Sequence, residues 1–300
     1  MTPVTAGGRS FTYNRVIIAL VMVMLATLAV SNLIRGSLAR QAGSLAARGE
    51  TEVKTLRATG HVSGRTAWDL ACTRRINPDA VYHHCAEALR ASFYEGEWDR
   101  RAVEPNSIFM TQGSNPLKGL YYMLEALPEV LRRVPDAHLY VAGNDPTKSD
   151  SAYDRLKRSA YGAHLARLIR EADLGSTVSF LGPLGEVEMR DRLLRSHVFV
   201  SASTIENSSN GLCEAQLLGV PCVASFVGGI PSLLDHGVDG FAYQHDAPYM
   251  LAHYVAELFE RDDLAERFSA AARARAHQRH DRTAIADTQV AIYESMLAGG

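Results

Sequence analysis

The chain has 300 residues, 47% hydrophobic and 21% charged, an ordinary globular composition with room for one large domain or two small ones. A formal net charge of −2 leaves no broad basic field, which excludes nucleic acid as a partner class. Cys72, Cys85, Cys213 and Cys222 form no C-x-x-C pair and have no zinc spacing, so they read as reduced, mostly buried side chains and no metal centre is expected.

The first element in chain order is an apolar run over 16–30, VIIALVMVMLATLAV. Extended to residue 34 it reaches 19 residues, the minimum for a bilayer span. Arg9 and Arg15 precede it and Arg35 and Arg40 follow, which leaves its orientation open. No small-residue site marks it for removal as a signal peptide. Residues 1–44 therefore read either as a membrane anchor or as a buried piece of an incomplete domain. Residues 45–106 mix a helix-like stretch, RGETEVKTLRAT, with short polar segments and both tryptophans, Trp68 and Trp98.

From residue 107 the pattern becomes regular. Six short apolar runs rich in β-branched residues predict strands: SIFMTQ (107–112), AHLYVAG (137–143), TVSFLG (177–182), HVFVSAS (197–203), PCVASFV (221–227) and GFAYQ (240–244). Helical patterns separate them over 119–134, 152–173, 186–195, 209–218 and 231–234, and 250–297 closes the chain in two or three helical pieces. In the first of these, Leu120, Met123, Leu124, Leu127, Val130 and Leu131 share one face. Repeated strand–helix–strand order with near-continuously apolar strands predicts a Rossmann-like parallel sheet with helices on both faces. Ligands of such sheets bind beyond the carboxyl ends of the strands, so the loops there are the place to look.

Lys118 follows the first strand, beside Gly119 and a helix start, where its charge and the helix amides suit a phosphate; a solvated surface lysine is the alternative. Asn144 follows the second strand in a turn signal, Gly143-Asn144-Asp145-Pro146, from which it can touch a ligand. Gly182 and Gly185 follow the third strand, letting backbone approach a flat ligand such as a nucleobase; a simple loop is the alternative. The fourth strand runs into Glu206 and, eight residues on, Glu214, with the N-cap candidates Asn207, Ser208 and Ser209 after Glu206. Two carboxylates at one sheet edge suit sugar and ribose hydroxyls, because an ionised carboxylate is a strong, acceptor-only partner. One cap residue and one surface glutamate is the alternative. Gly228-Gly229 follow the fifth strand and supply bare amides, with Pro231 fitting a helix first turn. The set fits a ligand made of a diphosphate, a ribose and a sugar.

These segments resemble the C-terminal half of the family 4 glycosyltransferases, whose GT-B fold faces two Rossmann-like domains. The resemblance rests on Pro116-Leu117-Lys118-Gly119-Leu120, Leu139-Tyr140-Val141-Ala142-Gly143, Phe180-Leu181-Gly182, and Glu206 to Glu214 as the family's E-x₇-E. It continues in Gly-Val-Pro-Cys-Val-Ala-Ser at 219–225 and Gly-Gly-Ile-Pro at 228–231. It covers 107–297 and extends upstream through His61 to Asp69, which matches the last strand region of a family N-terminal domain.

The resemblance implies retaining, metal-independent transfer of a sugar from a nucleoside-diphosphate sugar, which serves as co-substrate with no further cofactor, to an unidentified acceptor: a polysaccharide, a lipid-linked acceptor or a small-molecule glycoside. Lys118 would bind the diphosphate and stabilise the leaving group, and Glu206 would contact the donor sugar near its reacting carbon. Glu214 would hold the ribose, while Gly211, Leu212 and Cys213 bring backbone close to phosphate or ribose.

Two positions depart from the family pattern. Gln112 stands where the family has an arginine, leaving Arg65 or another residue to supply that charge, and Ser232 stands where it often has a glutamate. A family N-terminal domain needs on the order of 150 residues, and only about 60 to 100 precede the donor domain. A truncated product, a misassigned start or one half of a split enzyme is therefore expected, with nucleotide-sugar binding without turnover as the runner-up function. A dinucleotide-binding module is excluded because no G-x-G-x-x-G follows the first strand. The expected location is the cytoplasm, with attachment to the inner membrane face through 16–34 if that run is an anchor.

Overall fold

A computed structural model describes residues 47–148 and 159–298. The apolar run over 16–34 lies outside the described residues. Among the described residues no helix is long and apolar enough to cross a membrane.

By its contacts the chain divides into two units, 1–60 and 61–300. In the first, helix α1 covers residues 47–58, as the helix-like stretch predicts. The hydroxyls of Thr51, Thr55 and Thr59 each donate to the carbonyl four residues back, at 2.8–2.9 Å.

The second unit begins with a small parallel sheet, β1 (His61–Gly64) and β2 (Val81–His84), joined by helix α2 (Ala67–Ile76). Thr66 and Asp69 start that helix with a reciprocal capping box. The main sheet contains β3 (Glu104–Met110), β4 (His138–Ala142), β5 (Val178–Gly182), β6 (Ser196–Ser201), β7 (Cys222–Ser225) and β8 (Phe241–Tyr243). All six lie where the apolar runs predict strands. β3 starts earlier than expected because the backbone N–H of Glu104 donates to Arg195 O at 2.9 Å, and its register against β6 shifts between Glu104 and Ile108.

The strands run parallel in the order β5-β4-β3-β6-β7-β8. That is the doubly wound order, with chain direction across the sheet reversing between β3 and β6. The crevice at their carboxyl ends is the topological switch point.

The helices of this unit are α3 (Leu120–Arg133), α4 (Ala160–Glu171), α5 (Glu186–Leu194), α6 (Asn210–Leu218), α7 (Pro248–Glu260), α8 (Asp262–Arg279) and α9 (Arg282–Ala298). On α3 the predicted stripe is the buried face: Leu120, Met123, Leu124, Leu127 and Val130 are all buried, and Leu131 packs half-buried against them. The helix expected over 231–234 is a single 3-10 turn, Ile230–Ser232, after which the chain feeds β8. The helix expected over 152–173 is described from Ala160.

The central strands are apolar on both faces, with Ile108, Phe109, Leu139, Val141, Val198, Phe199 and Val223 fully or almost fully buried. Each such side chain contributes about 1.5–3 kcal/mol by leaving water. Trp98 ties residues 61–103 to this core: its indole N–H donates to Ser196 O at 2.9 Å and its backbone N–H to Leu218 O at 2.8 Å. All four cysteines are free; Cys213 and Cys222 are buried, while Cys72 and Cys85 are only half-buried, contrary to the expectation for that pair.

Candidate functional site

Two adjoining clefts open at the switch point. The larger, about 580 Å³, is lined by residues that include Arg90, Gln112, Ser114, Asn144, Pro183, Leu184, Met189, Gly211 and Glu214. The smaller, about 270 Å³, includes Arg65, Glu87, Gln112, Lys118, Ser203, Glu206 and Gly211. Thr111, Gln112, Asn210 and Gly211 line both and form the passage between them.

The loop after β3 delivers Lys118. A 3-10 turn, Pro116–Lys118, places it two residues ahead of α3, with Asn115 capping the turn. Gly119 then reverses the chain at φ 70°, and a Cβ there would lie 1.8 Å from Ala202 O. Only glycine lets the β3 and β6 loops meet so closely. The backbone N–H of Thr204 donates to Leu117 O at 2.9 Å and joins them directly.

The loop after β6 delivers Glu206. Its carboxylate pairs with Lys118 and accepts from Ser203 Oγ at 3.3 Å. Gly228 and Gly229 hold this loop from behind. A Cβ on either would fall 2.0 Å from the carbonyl of Glu206 or Asn207, and the N–H of Gly229 donates to Glu206 O at 3.0 Å. The glycine pair is explained by this close approach of backbone to backbone, and neither residue lines either cleft.

Ser209 caps α6, whose N-terminus points Asn210 and Gly211 into the passage. The positive end of the helix dipole and its amides favour an anion there. Leu212 and Cys213 are fully buried behind Gly211, and burial raises the Cys213 thiol to about 11, which keeps it protonated and inert.

Glu214, one turn further along α6, is 4% exposed. Arg90 grips it through two parallel hydrogen bonds, Nε to Oε1 and Nη2 to Oε2, both 2.8 Å. That hydrogen bonding raises the guanidinium above its ordinary value. Glu206 and Glu214, expected to face one cleft, face two adjoining ones.

Residues 61–90 complete the site. Arg65, at the carboxyl end of β1, pairs with Glu87 and lines the Lys118 cleft, which puts an arginine beside Gln112. Gln112 adopts φ 58° and lines both clefts. Thr66 Oγ1 lies 2.9 Å from Asn207 Oδ1, and Ser232 Oγ accepts from the Ala67 N–H at 3.0 Å. Ser232 thus ties the first turn of α2 to the glycine-pair loop.

The loop after β5 supplies Pro183 and Leu184, which with Met189 and Leu193 of α5 make the apolar wall of the larger cleft. The loop holding Pro183 and Leu184 was expected near a flat ligand for its glycines, but Arg90, Glu87, Met189 and Leu193 were not legible as site residues. They carry no motif, and only the chain path brings them to the switch point.

The clefts hold three cation–carboxylate pairs, Arg65–Glu87, Lys118–Glu206 and Arg90–Glu214. An apolar slot leads past a carboxylate to a helix N-terminus, then to a lysine and a second carboxylate. Such a surface can hold a base, a diol, a diphosphate and a sugar in sequence.

A family model described as Glycosyl transferases group 1 matches residues 104–261. The phosphatidyl-myo-inositol mannosyltransferase of Mycobacterium tuberculosis is 27% identical over 198 residues, 64% of this chain and 48% of that protein. The D-inositol 3-phosphate glycosyltransferase of Streptomyces griseus is 33% identical over 112 residues, 37% of this chain and 24% of its own. The chain spans about half the length or less of these curated relatives. The Anabaena protein HepE, solved with UDP and glucose, superposes with a TM-score of 0.68 at 18% identity, over 83% of this chain and 66% of that one. A sucrose-phosphate synthase from Thermosynechococcus elongatus gives 0.69 at 21% identity, over 85% and 62%. The two superpositions show a GT-B type of fold, and the family match covers just over half of the chain's 300 residues. The chain belongs to the group 1 glycosyltransferases.

Proposed function

We propose that the two clefts together bind a nucleoside-diphosphate sugar and that the protein transfers its sugar, with retention of configuration and without a metal ion, to a hydroxyl acceptor. The observation that carries this is the Lys118–Glu206 pair, 25% and 13% exposed, at the end of a passage lined by the α6 N-terminus. The base lies against Pro183, Leu184 and Met189, and the ribose diol on Glu214. The diphosphate lies along Gln112, Gly211 and Lys118, with Arg65 supplying the charge that Gln112 does not.

Lys118 holds positive charge where the leaving diphosphate gains negative charge, and it does so in a partly dehydrated site where that charge counts most. Glu206 takes the donor sugar at its reacting end. The pair must open for the sugar to enter, so each partner exchanges the other for a ligand group of the matching charge or hydrogen-bonding character. Leu212 and Cys213 position Gly211 from the core.

The relatives named for inositol lipid and inositol phosphate acceptors make those hydroxyls the first to try, and HepE, solved with UDP and glucose, makes UDP-glucose one first donor. The test is sugar transfer from UDP-, GDP- and ADP-sugars to phosphatidylinositol and inositol 3-phosphate, with the product anomer read by NMR. Transfer with retention is expected, falling at least about 10²-fold in K118A and E206A, as for loss of a group that acts on transition-state charge. Nucleotide-sugar binding without transfer to any acceptor would leave a binding protein. An inverted anomer would refute the stereochemical assignment, and full activity in either variant would refute that residue's role.

A further inference from the structure

The Arg90–Glu214 pair presents its cation, not its carboxylate, to the cleft: side-chain exposure is 42% for Arg90 and 6% for Glu214. Each carboxylate oxygen already accepts a hydrogen bond from the guanidinium. A ligand entering the larger cleft therefore meets a guanidinium where the ribose needs a free carboxylate. A vicinal diol and one edge of a guanidinium offer the same thing to a carboxylate, two donors side by side. A diol approaching the edge of Glu214 that Arg90 holds therefore competes with the guanidinium.

Arg90 is held differently from a structural arginine. Arg192, 4% exposed, reaches Glu104 at 2.8 Å and packs over the Tyr140 ring inside the fold. The Arg90 guanidinium has Glu214 and the face of Phe93, 4.5 Å from the ring centroid. The backbone around it is pinned by other groups. Leu89 N–H donates to Tyr94 Oη at 3.2 Å, Arg282 reaches Leu89 O at 3.3 Å, and Ser92 binds Glu186 through both its N–H and its hydroxyl. The side chain can leave Glu214 without unseating the turn that carries it.

We infer that Arg90 is a displaceable latch on Glu214, which the donor's ribose must open and which thereby sets the affinity of the cleft for nucleosides. The inference rests on the nucleotide-sugar reading of the site. A closed latch lowers apparent affinity in proportion to the fraction of molecules that are open. Removing the guanidinium leaves a buried carboxylate short of donors, and the ribose hydroxyls then gain more by binding it.

The test is calorimetric titration of the full chain. UDP, GDP and ADP identify the base, and the matching nucleoside, measured by displacement of the diphosphate, gives the sign. R90Q is expected to bind that nucleoside about tenfold more tightly than the wild type, the gain for a latch closed about nine-tenths of the time. R90K, with one point charge in place of a fork, falls between and carries the same sign should R90Q not fold. The gain disappears in R90Q/E214Q. Nucleotide binding by R90Q alone, and not by the wild type, also supports the latch. Unchanged or weaker nucleoside binding in R90Q and R90K, with wild-type diphosphate binding intact, overturns the latch and leaves the donor reading standing. Binding of no nucleotide by any of these proteins overturns both.

Discussion

Helix α6 carries two buried polar residues on opposite sides, and they behave differently. Gln216 is 1% exposed and faces the C-terminal helices. Its amide donates to Leu233 O at 2.9 Å, and its carbonyl accepts from Arg279 Nη2 at 2.5 Å. Arg279 also reaches Leu233 O at 3.0 Å and His280 Nε2 at 3.1 Å. The other ring nitrogen of His280 lies 2.8 Å from Glu87 O. Glu214, 200° around the same helix, shares one partially exposed arginine and lines an open cleft. A polar group answered on all sides by protein fixes a helix in place. A polar group whose partner is half in solvent beside a cavity can change partners, and that is what a binding site requires.

Substitution sharpens the contrast. The largest effect is expected at Glu214: E214A loses the ribose contacts and weakens nucleotide binding by about 10- to 100-fold, since hydrogen bonds to a charged group contribute roughly 1.5–3 kcal/mol each. Calorimetry reads this, and the melting temperature should move little because Arg90 is left exposed. Unchanged affinity would remove Glu214 from the site.

On the opposite face, R279M leaves Gln216 Oε1 without its donor. It is expected to cost about 1–3 kcal/mol, lowering the melting temperature by several degrees with nucleotide affinity unchanged. A change in affinity without a change in stability would erase the distinction between the two faces.

A third effect is graded with pH. Burial, then the Arg279 and Arg65 charges, push His280 down to about 4 from an ordinary 6.5. His197, fully buried, is pushed down to about 4 mainly by burial and then by Arg100. Both are neutral in the fold and take up protons when unfolded between pH 6.5 and 4. Stability is therefore constant above about pH 6.5 and falls as pH drops toward 4, by up to about 1.4 kcal/mol per unit for each histidine. Denaturant melts of the wild type and H280Q across that range should show a shallower slope in the variant. Equal slopes would mean that His280 is not buried neutral.

The six strands, the α3 stripe and the order of elements were legible because each depends on local spacing: period two or continuous apolarity for strands, period 3.6 for helices. Lys118, Glu206 and Glu214 were legible as cleft residues because the carboxyl ends of parallel strands share one edge, and Gly211 through the family resemblance. The ion pairs among them were not, since pairing depends on distances between loops far apart in sequence. Gly228 and Gly229 read as bare amides for a ligand, yet their open space is filled by the Glu206–Asn207 backbone. Arg65 lines the same cleft as Gln112, paired with Glu87, and Arg90 lines the other, paired with Glu214. Ser232, a departure from the family pattern, receives the Ala67 N–H at 3.0 Å.

The sequence by itself determined the six strands of the main sheet, most of the helices between them and which loops meet, because hydrophobic periodicity and turn residues act over a few neighbours. The tertiary structure alone decided which cation answers which carboxylate. Arg90 and Glu214 are 124 residues apart, and only the folded path through β2, Trp98 and the switch point brings a guanidinium within 2.8 Å of a buried carboxylate.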